Sequence, residues 1–205
     1  DSYTLPQRWH GIGFWHGYGC CDHHLEPHYW SSNAKPGEAI HPHKWSVEHE
    51  ADVAVDYIMN TDRVRDEKKP FVLFVANNPP HPPYDQVPER YVEMYRDKTP
   101  EELLKSPCFN VQDTTPAVRY LQNSWSNGAA EQAIHSYLGA ITGVDENFGR
   151  ILRAIREKNI EEDTIVIFTS DHGDLMGSHN MMGKGPCYRD SFNIPFIVRY
   201  PGKLR

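Results

Sequence analysis

Apolar residues fall into two patterns along this chain, one with helical spacing and one continuous. Val47, Ala51, Ala54, Val55 and Ile58 recur at helical steps, so residues 46–60 are predicted to form an amphipathic helix. Ser46 reads as its N-cap, with Glu48 and His49 in the first turn. A longer helix is predicted over Asn127–Lys158, where Ile134, Leu138, Ile141, Val144, Phe148, Ile151, Leu152 and Ile155 repeat every three or four positions. Asn127 is its expected cap and Asn159 its left-handed stop. The continuous runs are Phe71–Ala76, a strand at about 164–170 built on Ile165–Phe168, and Pro195–Tyr200, each read as a buried strand. Four prolines between Asn77 and Tyr84 forbid a ladder there, so that stretch is a loop. Residues 88–96 suit a short helix, 97–126 an excursion, and 1–45 irregular loops lying on something else. The order of elements predicts an α/β layered fold, a single domain over 1–205 with an irregular region at 1–45 and an α/β core at 46–205.

Composition removes several classes of function. Of 205 residues, 39% are hydrophobic and 12% aromatic, enough for a core. The net charge is −7, and no Lys/Arg cluster is long enough to track a nucleic-acid backbone, which argues against DNA or RNA as a partner. No apolar run approaches the ~20 residues that span a bilayer, so no membrane partner is expected. Four cysteines in a chain this long do not make a disulfide framework. Cys20 and Cys21 are adjacent and Cys108 and Cys187 isolated, so free thiols are expected and the compartment and oligomeric state stay open. Histidines crowd the first fifty residues, but Cys20-Cys21-Asp22-His23-His24 has no zinc-type second half and reads as loop residues.

The chemistry concentrates after the second apolar run. Asp171 and His172 follow it directly, which places a carboxylate and an imidazole at a strand's carboxyl end, where open α/β sheets bind ligands. Both are ordinary ligands of a divalent metal. Lys184, between Gly183 and Gly185, supplies an ammonium for sulfate or phosphate oxygens, and the glycines permit close approach. His81, between Pro80 and Pro82, suits a general acid or an oxyanion donor. If its strand and that of Asp171 are parallel neighbours, the two residues emerge at one edge. His179 either lines the same pocket or anchors its loop. Trp9, Trp15 and Trp30 offer faces for sugar rings, which keeps a non-catalytic domain binding sulfated carbohydrate among the alternatives.

Thr169-Ser170-Asp171-His172-Gly173-Asp174, Gly177-x-His179, Lys184-Gly185-Pro186 and Pro195–Gly202 resemble the type I sulfatases of the alkaline-phosphatase superfamily. Asn78-Pro79-Pro80-His81-x-Pro83-Tyr84 resembles the histidine loop of that family, and the helix carrying Tyr137, Val144, Asp145 and Gly149 resembles the one before its metal strand. The resemblance implies the layered α/β sulfatase fold with flanking helices and hydrolysis of a sulfate ester on a small molecule or carbohydrate. It implies one divalent cation on Asp171 and His172, with sulfate contacted by Lys184 and His81 and either of these helping to protonate the leaving alcohol. Calcium is the first choice, with manganese, magnesium and zinc as alternatives, since calcium prefers oxygen to imidazole. A phosphodiesterase or phosphonate monoester hydrolase of the same superfamily is the second reading. The family's formylglycine nucleophile arises from C/S-x-P/A-x-R, and no cysteine or serine of this chain stands in that motif. Nor is the family's early Asp pair identifiable. The chain therefore resembles a middle segment of a sulfatase, a partial domain expected to be inactive alone.

Overall fold

The first helix, α1, runs from Ser46 to Met59 and buries Val47, Ala51, Ala54 and Ile58 on one face, as the spacing predicts. Its start differs from expectation in the computed structural model, which describes residues 3–104, 129–179 and 181–204. Trp45 occupies the cap position with extended backbone and Ser46 is already helical. The Ser46 hydroxyl is buried without a hydrogen-bond partner, while its N–H donates to the His24 carbonyl at 2.8 Å. A tertiary tether thus replaces the side-chain cap. At the other end Asn60 adopts φ 60, ψ 39, a left-handed stop that Asn tolerates. Arg65 then donates to the orphan carbonyls of Tyr57 (3.1 Å) and Ile58 (2.7 Å) and lies over the Phe71 ring at 4.8 Å.

Two short helices follow, α2 (Glu89–Val92) and α3 (Pro100–Leu103). The first is shorter than the predicted 88–96, and the second begins with a Thr99–Glu102 capping box. Cys108, Asn127 and most of the 97–126 excursion lie outside the described residues.

The long helix α4 spans Ala129–Glu157, and Asn159 stops the chain beyond it with φ 58. The most buried face from Ser136 onward is not the large aliphatic one. It carries Ser136, Gly139, Ala140, Gly143, Asn147 and Ala154; of the aliphatic positions Ile134 and Ile155 are buried too, while Ile141 is 41% exposed. The reason is the bulk of the partners. Trp45 and Tyr91 share a buried cluster with Val47, Val87, Val92 and Ala140, and such rings fit only against small residues. A Cβ on Gly143 would stand 2.5 Å from the Trp45 ring and 2.9 Å from the Tyr91 ring, whereas one on Gly149 meets only the Arg153 guanidinium at 3.7 Å. Gly143→Ala is therefore expected to destabilise by about 2 kcal/mol. Gly149→Ala should stabilise by about 0.5–1 kcal/mol through helix propensity. Urea midpoints of the two variants check both signs.

Strands are few. In the irregular N-terminal region, β1 (His16–Gly17) pairs antiparallel with β2 (Trp30–Ser31), and Tyr29 bridges Ile40. Later, β3 (Val166–Thr169) pairs antiparallel with β4 (Phe196–Arg199), with the short α5 (Arg189–Phe192) between them. The Phe71–Ala76 run is extended but joins no ladder among the described residues. This corrects two expectations: among the described residues the run is not part of a sheet, and the apolar runs are not buried on both faces. Val72 is 80% exposed, Phe74 87% and Phe196 69%. Phe71 and Leu73 turn inward while Val72 and Phe74 turn outward, so one face has a layer over it and the other has none.

The chain groups into two compact units, residues 1–92 with 136–159, and residues 93–135 with 160–205. Among the described residues no helix is long and apolar enough to cross a membrane.

Candidate active site

Asp171 and His172 leave the carboxyl end of β3 in the second unit. The His172 N–H donates to Asp171 Oδ1 at 2.9 Å, and His172 Nδ1 lies 2.7 Å from the Gly173 carbonyl. A carbonyl only accepts, so Nδ1 carries the proton and Nε2 keeps its lone pair. That Nε2 stands 3.6 Å from Asp171 Oδ2. An oxygen and an unprotonated nitrogen so spaced, with the other ring nitrogen fixed by a carbonyl, have the form of two ligands to one cation. Among the described residues no group of three or more His, Cys, Asp or Glu completes such a site. The pair fits a cation as part of a ligand set.

The segment after His172 is folded back on itself. Leu175 N–H donates to the Gly183 carbonyl (2.8 Å) and Gly177 N–H to the Met181 carbonyl (2.7 Å), with Leu175 and Met181 packed inside. Asp174 Oδ1 accepts from the N–H groups of Met176 (2.9 Å) and Gly183 (3.0 Å). Lys184 directly follows Gly183, the residue that Asp174 and Leu175 hold. Lys184 is exposed, flanked by Gly183 at φ 76 and Gly185 at φ 119, a left-handed pair of hinges that favours glycine. Asp190 Oδ2 accepts from the Ser178 hydroxyl at 2.5 Å. His179 stacks on Tyr188, centroids 3.8 Å apart, which anchors the loop.

His81 belongs to the first unit. Its N–H donates to the Asn78 carbonyl (3.0 Å) and its Nδ1 lies 2.7 Å from the Pro82 carbonyl, so Nε2 is the nitrogen left for chemistry. Asp22 Oδ1 is 3.9 Å from Nδ1. The predicted residues thus divide: Asp171, His172, His179 and Lys184 share one loop in one unit, and His81 stands on the proline loop of the other.

Sequence reasoning missed the residues that hold these loops. Asp174 and Asp190 pin the lysine loop; Asp174 beside Gly173 reads as an ordinary turn residue, and Asp190 between Arg189 and Ser191 stands in no pattern at all. The Cys21–His24 segment, read as plain loop, touches the histidine loop: Asn78 Nδ2 donates to the Cys21 carbonyl at 2.7 Å, and His24 bonds to His81. Glu50 lies behind it, accepting from the Tyr29 hydroxyl (2.9 Å) and Asn77 Nδ2 (2.6 Å). Burial pushes its carboxyl up to about 7, against the pull of those two donors. Of the tryptophans offered to sugars, Trp30 is 7% exposed and bonded to the Pro36 carbonyl, so it packs the core. Trp9 and Trp15 lie parallel to each other.

A carboxylate–imidazole pair thus stands at the end of a strand, on the same loop as a lysine between two glycines. Residues 12–205 match the sulfatase family, and the chain belongs to that family. It is 36% identical to an endo-4-O-sulfatase of Bacteroides thetaiotaomicron over 100% of this chain and 38% of that protein. It is 35% identical to an arylsulfatase of Clostridium perfringens over 82% of this chain and 34% of that one. Among solved structures, a B. thetaiotaomicron 4S-sulfatase described with that organism's metabolism of multiple glycosaminoglycans superposes with a TM-score of 0.85 at 36% identity, covering 98% of this chain and 39% of its own. The fold is accordingly the mixed α/β sulfatase fold of alkaline-phosphatase type, and the chain spans about two fifths of the length of these relatives.

Proposed function

We propose that the whole protein is a sulfuric ester hydrolase acting on a sulfated carbohydrate. The observation that carries this reading is the spacing of Asp171 Oδ2 and His172 Nε2, 3.6 Å apart at the end of β3. Similarity to an endo-4-O-sulfatase, and to a structure described with glycosaminoglycan metabolism, supports the substrate class.

In this reading Asp171 and His172 hold a divalent cation, calcium first, with manganese, magnesium or zinc as alternatives. When bound, the cation supplies Lewis-acid stabilisation of sulfate oxygens. Lys184 binds a sulfate oxygen and offsets the charge that grows there as the ester is attacked. His179, stacked on Tyr188, holds that loop in place. His81 holds its Nδ1 proton on the Pro82 carbonyl and, as imidazolium, delivers the Nε2 proton to the departing alcohol oxygen. No residue of this chain is assigned the role of nucleophile.

The test is the kcat/KM of the whole protein on a sugar sulfate against the matched phosphate and phosphonate esters. The sulfate ester is expected to lead by about tenfold or more. Chelation should remove the activity and added calcium restore it. A preference for the phosphonate ester would instead establish a phosphonate monoester hydrolase of the same superfamily.

A further inference from the structure

We propose that His24 is a positioning residue for this chemistry, setting where the His81 imidazole stands by holding the main chain of His81. The proposal rests on the assignment of His81 as the proton donor to the leaving alcohol.

His24 is 1% exposed, yet three of its polar groups are hydrogen-bonded, each to a different part of the first unit. Its Nε2 lies 3.0 Å from the His81 carbonyl. A carbonyl only accepts, so the ring is the Nε2–H tautomer and donates. Its N–H donates to Gln86 Oε1 at 2.6 Å. Its carbonyl accepts from Ser46 N–H, the first residue of α1, at 2.8 Å. Burial pushes the imidazole below its ordinary range, which keeps it neutral. The histidine loop is therefore gripped at Asn78 by the Cys21 carbonyl, at His81 by the His24 ring, and at Gln86 by the His24 N–H. This grip is seated on the start of the longest helix of the N-terminal half.

A proline-rich loop has few hydrogen bonds of its own, because four of its residues between Asn77 and Tyr84 have no N–H. Its position depends on side chains that reach in from elsewhere. The His81 ring is part-exposed; its Nδ1 donates to its own neighbour, the Pro82 carbonyl, and Asp22 approaches only to 3.9 Å. Two main-chain bonds fix His81 itself, its N–H on the Asn78 carbonyl within the loop and its carbonyl on the His24 ring, and only the second ties it to another segment. As the sulfur–oxygen ester bond breaks, the oxygen keeps the electron pair and takes the His81 proton, and a displacement of about 1 Å is enough to slow such a transfer by up to about a hundredfold.

The experiment uses the whole protein and two substrates. A sugar sulfate has a leaving alcohol that needs a proton, whereas 4-nitrophenyl sulfate has a leaving phenolate that needs almost none. His24→Phe, which keeps the bulk and removes the donor, is expected to lower kcat on the sugar sulfate by about tenfold or more and on 4-nitrophenyl sulfate by less than about twofold. His24→Gln, whose amide N–H reaches the same place, should recover most of that loss. Gln86→Met loosens the same grip with less disturbance of the core and should show the same selectivity, which decides the question if His24→Phe does not fold. An equal loss on both substrates, or none on either, in a folded variant overturns the proposal. His81→Ala runs beside them: if it fails to discriminate between the substrates, the assignment of His81 as acid falls, and that outcome is distinct from failure of the His24 arm alone.

Discussion

Gly173→Ala is expected to lose about 3 kcal/mol of stability and to unseat the lysine loop. A Cβ at this position would stand 2.1 Å from the Asp190 carbonyl oxygen and 3.0 Å from its carbon. Both are backbone atoms, so no side-chain rotation relieves the overlap. The two segments are also joined there by the Gly173 N–H donating to the Ser191 carbonyl at 2.8 Å. Parting them strains the bonds on either side: Ser178 to Asp190 at 2.5 Å, and the Gly185 N–H to Ser191 Oγ at 3.2 Å, next to Lys184. Asp171, His172 and Lys184 then lose their common frame. The check is the urea midpoint of Gly173→Ala against the unaltered protein, with the slope unchanged. A midpoint within about 0.5 kcal/mol of the original would show that the contact is slack.

Glu50→Gln is expected to alter how stability depends on pH. The Glu50 carboxyl titrates near 7 in the folded protein against an ordinary value of 4.5, because burial outweighs the hydrogen bonds from Asn77 and Tyr29. The sign follows from linkage. Below pH 4.5 the group is protonated in both states; between 4.5 and 7 the unfolded chain ionises while the fold keeps its proton. Stability present at low pH is therefore lost as pH rises through this window, by about 3 kcal/mol in full. His16 acts in the opposite sense. Burial and the neighbouring His49 push it from 6.5 down to about 4, so its contribution is present above 6.5 and lost as pH falls. The difference between Glu50→Gln and the unaltered protein isolates the carboxyl. Denaturation at pH 4.5 and pH 8 should show the variant gaining about 3 kcal/mol relative to the parent on the alkaline side. A difference that stays flat across that range would mean the carboxyl is hydrated in the fold.

Much of the architecture was readable in the pattern of apolar residues, and the failures are instructive. Helical spacing located α1 to within a residue, because a one-sided apolar stripe has one way to be buried. In α4 the period was right and Ile134 and Ile155 are buried, but the rule that large aliphatic residues mark the core did not anticipate two aromatic partners, Trp45 and Tyr91, that demand Gly139, Ala140 and Gly143 opposite them. The Ser46 cap failed for a similar reason, since Ser46 is held through its N–H by His24. The Phe71–Ala76 run had the composition of a strand, but a ladder needs a partner, and a single segment carries no information about whether one is there.

By itself, the sequence determined the chemical identities: a carboxylate followed by an imidazole after an apolar strand, a lysine between glycines, a histidine between prolines, and the family to which together they belong. Those follow from short local spacings, which the chain's covalent geometry preserves. Tertiary structure alone decided which nitrogen of His172 and His81 is left for chemistry, that Asp174 and Asp190 pin the loop carrying Lys184, and that His24, unremarkable in its Cys/His-rich loop, grips His81 from 57 positions away. Such contacts depend on backbone carbonyls and N–H groups, which every residue carries and no motif records.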